Sequence, residues 1–189
     1  MNGSLARVAA CAATVFAALA LASPAAAHGQ AAAGPTQATA AEPERTLSFH
    51  NTHNGEHLSV VYKRGPNYLQ AALDDIKHVL RDPLNDQEVP IDPALLDFLY
   101  DLLQKVRYRG EVEVVCGYRC VETNRHLHNQ SSGVVLGSQH VKGKALDFRL
   151  RGFDTRKLYE AARSMKRGGT GYYRASDFIH IDTGPVRFW

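Results

Sequence analysis

Residues 145–150, ALDFRL, alternate between two kinds of side chain, and this pattern constrains the fold more strongly than any other in the chain. A period of two is typical of a strand with one face on a core. The side chains expected on the core face are Leu146, Phe148 and Leu150, and those expected on the other face are Ala145, Asp147 and Arg149. The stretch therefore predicts a strand that carries an acidic residue opposite its apolar face.

Residues 178–182, FIHID, show the same alternation near the end of the chain. Ile179 and Ile181 would share one face, and Phe178, His180 and Asp182 would share the other. Two such strands predict a sheet whose apolar face is covered by other elements and whose opposite face collects polar side chains.

Two stretches between residues 67 and 106 repeat apolar side chains at helical spacing. Residues 67–82 follow the i, i+3, i+4, i+7 pattern of one helical face. Further on, Asp92 and Pro93 supply an N-cap and a first-turn proline ahead of a leucine-rich stretch that ends at Val106. We therefore predict two amphipathic helices.

The remaining segments complete a mixed fold. Asn54-Gly55, between residues 46–53 and 56–64, is typical of a hairpin turn. Residues 111–116 predict a short strand and residues 121–130 a short helix. Asp154 would cap a fourth helix that Gly168-Gly169 would end. The chain is predicted to be α+β, with a small, mostly antiparallel sheet and flanking helices.

The first 27 residues have the pattern of a secretory signal peptide. A start with one positive charge, Arg7, is followed by an apolar run from Val8 to Ala22 and by small residues suited to cleavage after Ala27. A single-pass anchor is the weaker alternative, because about 20 apolar residues are needed to span a bilayer. We therefore expect an exported protein of the periplasm or cell envelope, without a stable membrane span after signal cleavage.

The composition divides the rest of the chain into a linker and one domain. Residues 28–45 are rich in alanine and proline without apolar periodicity, which predicts a disordered linker. Residues 46–189 are long enough for one core, and we expect a monomeric domain. Without Arg7, 21 basic residues face 19 acidic ones. This near neutrality argues against a nucleic-acid partner.

Two cysteines, Cys116 and Cys120, follow the leader and are separated by three residues. In an oxidising compartment they could form a disulfide. Two free thiols are the alternative, because a bridge over so short a span needs a tight bend.

His140, Asp147 and His180 are candidate metal ligands. Asp147 and His180 lie on the polar faces of the two alternating strands, and His140 precedes the first strand in a glycine-containing loop. Two histidines and a carboxylate leave one tetrahedral position open, as in catalytic zinc sites. On spacing alone, a surface histidine and an aspartate bonded to a turn are the alternative.

The complete motif resembles a known family. SQHVKGKALDF, residues 138–148, matches S-x-H-x-x-G-x-A-x-D, with GYR at residues 117–119 and FIHIDTGPVRFW at the end of the chain. Together these segments resemble the D-alanyl-D-alanine metallopeptidases, the LAS-type zinc peptidases, and within them murein endopeptidase K-like proteins. The resemblance covers residues 46–189 and implies a zinc-peptidase fold of the D-Ala-D-Ala metallopeptidase and hedgehog type.

The resemblance also implies roles for individual residues. His140, Asp147 and His180 would bind Zn²⁺, and Tyr118 and Arg119 would hold the substrate peptide. A guanidinium fork suits a carboxylate, although a surface ion pair is the alternative role of Arg119. Ser138 would either bind the substrate or fix the loop that carries His140, and Gly143 would serve only the turn.

The proton acceptor is the point at which this chain departs from the family. Many relatives place a glutamate three residues before the late histidine, or a second histidine two residues after the first in an H-x-H arrangement. Here Asp177 lies three residues before His180, and Asp182 lies two residues after it. We favour Asp182 as the catalytic group because it shares a strand face with His180, with Asp177 as the alternative. Asp182 could also act indirectly, by orienting a ligand histidine.

These features predict an exported zinc metallopeptidase of peptidoglycan cross-links or stems, of the murein DD-endopeptidase type. A D-Ala-D-Ala carboxypeptidase, a non-catalytic module that binds cell-wall peptides, and a structural zinc domain are the alternatives. The short span from His140 to His180 favours an open groove and endopeptidase action. Which bond is cut is left open by the sequence.

Overall fold

The structure is a computed structural model that describes residues 42–130 and 134–189. The predicted leader and all but the last four residues of the predicted linker lie outside this range. In the described part, no helix has the length and apolar character needed to cross a membrane. The strands are β1 (Glu44–Asn51), β2 (His57–Arg64), β3 (Asn67–Tyr68), β4 (Val112–Cys116), β5 (Ala145–Leu150), β6 (Gly169–Tyr173), β7 (Phe178–Asp182) and β8 (Arg187–Phe188). The helices are α1 (Gln70–Val79), α2 (Pro93–Lys105), α3 (Val121–Gln130) and α4 (Thr155–Met165).

All eight strands belong to one sheet in the order β3-β2-β1-β4-β5-β7-β6-β8. The β1/β4 and β6/β8 pairs are parallel. The other neighbouring pairs are antiparallel. The prediction of a mixed α+β chain with one sheet and helices is therefore confirmed. The sheet contains two strands that the sequence did not predict, β3 and β8, which are each only two residues long.

The core lies between the helices and one face of the sheet. Leu146, Phe148 and Leu150 of β5 are buried there together with Ile179 and Ile181 of β7. Apolar residues of α1, α2 and α4 belong to the same cluster. The alternation predicted for both strands is confirmed, and it leaves Asp147 and His180 on the face opposite the helices.

The predicted N-caps of two helices are confirmed. The Asp92 side chain accepts a hydrogen bond from the Ala94 amide at 3.0 Å, and Asp154 accepts one from the Lys157 amide at 2.8 Å. These contacts satisfy backbone donors that a helix leaves free in its first turn.

The predicted end of α4 is wrong. The helix stops at Met165, and Lys166 takes the left-handed conformation with φ 52°. Gly168 instead serves the close approach of two backbones, because a Cβ atom there would lie 1.7 Å from the Asp182 carbonyl oxygen. Gly169 begins β6 beside β7.

Strand β1 begins at Glu44, two residues before the predicted domain boundary at Thr46. Side-chain contacts hold this extension in place. Arg45 forms ion pairs with Asp97 and Asp101 of α2, and Arg64 pairs with Glu44. The composition of residues 28–45 could not predict these contacts, because Asp97 and Asp101 lie more than 50 residues further along the chain.

Candidate metal centre

The strand register brings Asp147 and His180 side by side. Asp147 of β5 pairs with His180 of β7, and on its other side Asp147 pairs with Cys116 of β4. Directly paired residues on one sheet face have Cβ atoms about 5 Å apart. The sheet therefore forms a row of three side chains that can ligate a metal.

His140 reaches this row from a short 3₁₀ turn, residues Gln139–Lys142. The Ser138 hydroxyl caps the turn by accepting a bond from the His140 amide at 3.3 Å. Gly143 ends it with φ 65°, and a Cβ atom there would lie 2.4 Å from the Pro90 carbonyl oxygen. The prediction that Gly143 serves the turn is confirmed. His140 Nδ1 donates to the Gly117 carbonyl oxygen at 2.6 Å, so Nε2 is the nitrogen that carries the lone pair once the imidazole is neutral.

Three donor atoms converge at the centre. His180 Nδ1 lies 2.7 Å from Asp147 Oδ1, and His140 Nε2 lies 3.2 Å from each of these two atoms. Ligands bound at 2.0–2.1 Å to a tetrahedral zinc ion are about 3.3 Å apart. All three side chains are buried or nearly so. The chemistry and spacing of the donors therefore fit a zinc-type ion with little rearrangement.

Asp182 lies behind His180. Its Oδ2 accepts from His180 Nε2 at 2.8 Å and from Arg187 Nη2 at 2.6 Å. Its Oδ1 accepts from Arg187 Nη1 and from the amides of Gly169 and Gly184. A proton held on Nε2 leaves the lone pair of Nδ1 for the metal position, which is a common arrangement for metal-binding histidines.

The geometry contradicts the prediction of Asp182 as the proton acceptor. Its side chain is fully buried, both oxygens are occupied, and it is not among the described residues that line the cleft. Burial by itself would raise the pKa of Asp182, but hydrogen bonds from His180 and Arg187 outweigh this effect and lower it. Asp182 is instead placed to orient His180, which is the indirect role given as its alternative from the sequence. Strand alternation placed it on the correct face without showing what lies beside it.

The geometry also contradicts the alternative, Asp177. A short 3₁₀ turn, Arg174–Ser176, ends at Asp177, which takes the left-handed conformation with φ 51°. Its carboxylate accepts a hydrogen bond from the Thr155 hydroxyl at 2.6 Å and lines a separate cavity beside Asp154. The turn thus directs Asp177 away from the donor atoms.

The three donors lie at the base of a cleft of about 450 Å³. An aromatic wall, defined by Tyr173, Phe178 and Trp189, forms part of its lining. Tyr173 and Phe178 stack with ring centroids 4.5 Å apart, and Trp189 Nε1 donates to the Tyr173 hydroxyl at 3.1 Å. The Trp189 ring lies 5.2 Å from that of His180. A peptide in this cleft would meet apolar rings beside the donor atoms.

Of the residues predicted to bind substrate, Arg119 and Ser138 line the cleft and Tyr118 does not. Arg119 Nη2 donates to the Ser138 hydroxyl at 3.4 Å, and its buried Nε has no hydrogen-bond partner among the described residues. In the same part of the chain Arg119 forms no ion pair. Tyr118 is held by its backbone, whose amide donates to the Leu80 carbonyl oxygen at 2.8 Å.

Both cysteines of the described range are free thiols. Cys120 Sγ receives bonds from the Asn85 side chain at 3.0 Å and the Thr123 amide at 3.3 Å, at the start of α3. Cys116 lies at the metal centre instead. The two thiols thus have different surroundings, and the disulfide alternative is not the arrangement found.

Burial and charge affect the metal-free donors in opposite directions. Burial by itself disfavours a charged imidazole, but the Asp147 carboxylate outweighs it and raises the pKa of His140 to about 10. The pKa of Asp147 is lowered, because contact with His140 and His180 outweighs its own burial. Both shifts favour a protonated His140 beside an ionised Asp147 in the metal-free protein at pH 7.

We expect zinc binding to release this proton. Because His140 must give up its proton to offer Nε2, the affinity for zinc should rise from pH 7 to pH 9. Calorimetric titration of Zn²⁺ in two buffers of different ionisation enthalpy measures the protons released. Equal affinities at pH 7 and pH 9 would contradict the expectation.

Three residues beside the donors were not predicted from the sequence, namely Arg187, Trp189 and Cys116. Arg187 and Trp189 belong to the final motif, but no periodicity showed that β8 pairs with β6 beside the donors. Cys116 was considered only for a disulfide. Its role as a neighbour of Asp147 depends on strand pairing, which spacing along the chain does not reveal.

Comparisons with known proteins identify the family of the chain. The family model described as peptidoglycan L,D-endopeptidase MepK matches residues 39–189. A probable peptidoglycan L,D-endopeptidase MepK from Haemophilus influenzae is 41% identical over 146 residues, which cover 77% of this chain and 78% of that protein. The peptidoglycan L,D-endopeptidase MepK of Escherichia coli is 40% identical over 156 residues, 82% of this chain and 86% of that protein. No solved structure matches the chain significantly.

The family match spans the whole described part of the chain, including the donor residues, the cleft and the final motif. The resemblance inferred from the motifs is thereby confirmed, and with it the assignment to a family of peptidases. The chain belongs to the peptidoglycan L,D-endopeptidase MepK family, within the D-alanyl-D-alanine metallopeptidase group.

Proposed function

We propose that this protein is a zinc peptidase that hydrolyses peptide bonds of peptidoglycan. The observation that carries the proposal is the convergence of His140 Nε2, Asp147 Oδ1 and His180 Nδ1 within 3.2 Å of one another at the base of a cleft. The names of the relatives favour an L,D bond as the target, in place of the D,D bond that the motifs suggested.

His140, Asp147 and His180 would hold the ion, and zinc is the metal that two histidines and one carboxylate with an open position favour. When bound, such an ion polarises a carbonyl group and lowers the pKa of its bound water to about 7. Gly117 and Asp182 would keep the two imidazoles in the required tautomers through hydrogen bonds of 2.6 and 2.8 Å.

Arg119 would bind the substrate peptide. Its buried Nε lacks a partner in the described structure, and a peptide carbonyl or carboxylate in the cleft would supply the missing acceptor. Ser138 would steady both this guanidinium and the His140 turn through its hydroxyl. The aromatic wall would exclude water beside the scissile bond.

Export, location and assembly are further parts of this proposal. Residues 1–27 would be a cleaved signal peptide and the following residues a spacer, which would place a monomeric domain in the periplasm or cell envelope. Peptidoglycan lies in that compartment, and the family match supports this substrate. The same match supports a fold of the D-Ala-D-Ala metallopeptidase and hedgehog type.

A non-catalytic peptide-binding module is the second candidate, and one observation favours it. Among the described residues that line the cleft, Asp147 has the only acidic side chain. With Asp147 engaged by two histidines, no separate acidic side chain lies there to accept a proton. Activity therefore has to be measured directly.

Digestion of purified peptidoglycan with the zinc-loaded protein tests both candidates. We expect L,D-cross-linked muropeptide dimers to decrease and the corresponding monomers to accumulate, as measured by chromatography and mass spectrometry. Protein stripped of metal by a chelator, and then reloaded with zinc, is the matched control. Retention of the protein on peptidoglycan with an unchanged muropeptide profile would overturn the peptidase proposal in favour of the binding module.

A further inference from the structure

Cys116 is aimed at the metal centre by an irregularity in β4. Val114 pairs with Phe148 and Cys116 pairs with Asp147, so two steps along β4 match one step along β5. In a regular strand, Val115 would lie opposite Asp147 and Cys116 would lie opposite Leu146, in line with the core. A bulge of this kind changes the direction of a side chain and is frequent beside active sites.

The bulge completes a set of three donors on one side of the centre. Cys116 Sγ and one ligand atom each from His140 and Asp147 all lie within 4.8 Å of one another. Sulfur and nitrogen ligands of one tetrahedral zinc ion are about 3.6 Å apart, so the thiol would have to move by about 1 Å at most to share an ion with the other donors. Cys116 is only half-buried, and the motion is local to its side chain.

The thiol is available and approaches from outside the cleft. In the described part of the chain its hydrogen bonding is limited to a long contact of 3.7 Å with the carbonyl oxygen of the next residue, Gly117. Cys116 is also absent from the described residues that line the cleft. With Sγ bound as well, an ion would have four protein ligands, and water and substrate would reach it from the cleft as a fifth ligand, a coordination number that catalytic zinc sites can adopt.

We propose that Cys116 is a fourth protein ligand of the metal, bound through its thiolate on the side of the centre away from the cleft. This inference rests on the proposed zinc site. As the metal–sulfur bond forms, the thiol releases its proton to solvent, and no change of oxidation state is involved. The added thiolate lowers the net charge of the site by one and increases its preference for thiophilic ions.

Cobalt substitution tests the proposal without an activity measurement. Co²⁺ added to the metal-free full-length protein should produce visible ligand-field bands from the site and, in addition, a near-ultraviolet thiolate-to-cobalt charge-transfer band. We expect Cys116→Ser to lose the charge-transfer band and to keep the visible bands. Cys120→Ser is the matched control and should keep both, because that thiol lies at the start of α3.

The outcomes separate this inference from the proposed function. Visible bands without a charge-transfer band in the wild-type protein would overturn the Cys116 assignment and leave the metal site intact. Neither kind of band would overturn the site itself, and with it the inference. A charge-transfer band that persists in Cys116→Ser would assign the sulfur to another residue.

A second measurement uses the wild-type protein, in case the Cys116→Ser variant does not fold. Zinc should slow alkylation of Cys116 by iodoacetamide at least tenfold, with Cys120 in the same peptide map as the internal reference. Equal alkylation of Cys116 with and without zinc would overturn the proposal.

Discussion

Replacement of Asp147 by alanine is expected to abolish stoichiometric zinc binding and to reduce peptidoglycan hydrolysis at least 100-fold. Asp147 is the central donor, because its Oδ1 lies 2.7 Å from His180 Nδ1 and 3.2 Å from His140 Nε2. Even residues that only orient metal ligands cost 10–100-fold when changed, so loss of a ligand should cost at least as much. Metal analysis of the dialysed protein and the muropeptide assay measure the two effects.

Thermal unfolding gives an independent reading of the same change. A ligand that binds only the folded state stabilises it by about 4 kcal/mol when its concentration is a thousand times its Kd. We expect zinc to raise the unfolding temperature of the wild-type protein and to leave that of Asp147→Ala unchanged.

Asp177→Ala is the matched control, because it removes a carboxylate that lines a different cavity. It should bind zinc and hydrolyse peptidoglycan at close to the wild-type level. An Asp147→Ala protein that retained bound zinc would contradict the assignment of the site. An inactive Asp177→Ala protein with zinc bound would restore Asp177 as a candidate for catalysis.

Asp182→Asn is expected to weaken zinc binding by 10–100-fold while the fold persists. The asparagine oxygen would take the place of Oδ1, which accepts bonds from Arg187, Gly169 and Gly184. The amide NH₂ would then face His180 Nε2, where Oδ2 now accepts a hydrogen bond. His180 would carry its proton on Nδ1 instead, and the lone pair that faces the other donors would be lost.

Competition with a chromophoric chelator measures the affinity, and nitrogen NMR of the imidazole reports which ring nitrogen of His180 is protonated. Asp177→Asn makes the same chemical change at an exposed turn and should alter neither. The loss of the buried acceptor for Arg187 Nη2 should also destabilise the fold by about 1–3 kcal/mol. Zinc affinity equal to wild type, with the tautomer unchanged, would show that Asp182 has only a structural role.

Much of the fold could be predicted because its elements have local causes. Alternation along residues 145–150 identified β5 and its two faces, and apolar spacing with an aspartate N-cap located α2. The strands β3 and β8 were missed because two residues are too few to show a period. Their pairing is set by the neighbouring strands and by side-chain contacts such as Arg187 with Asp182.

The sequence by itself determined the composition of the candidate site. Alternation in two strands placed Asp147 and His180 on polar faces, because strand periodicity assigns a face from local positions alone, and the family motif then indicated these two residues and His140 as ligands. The motifs also identified the family.

Only the tertiary structure decided how the surrounding residues act. It placed Asp182 behind His180 as a buried acceptor, turned Asp177 into another cavity, and brought Cys116 beside Asp147 through a bulge. Periodicity shows which face a side chain occupies, but strand register, bulges and turns decide which residues meet there. Those contacts join positions from 2 to more than 30 residues apart, and their energies depend on distance and burial that the linear pattern does not contain.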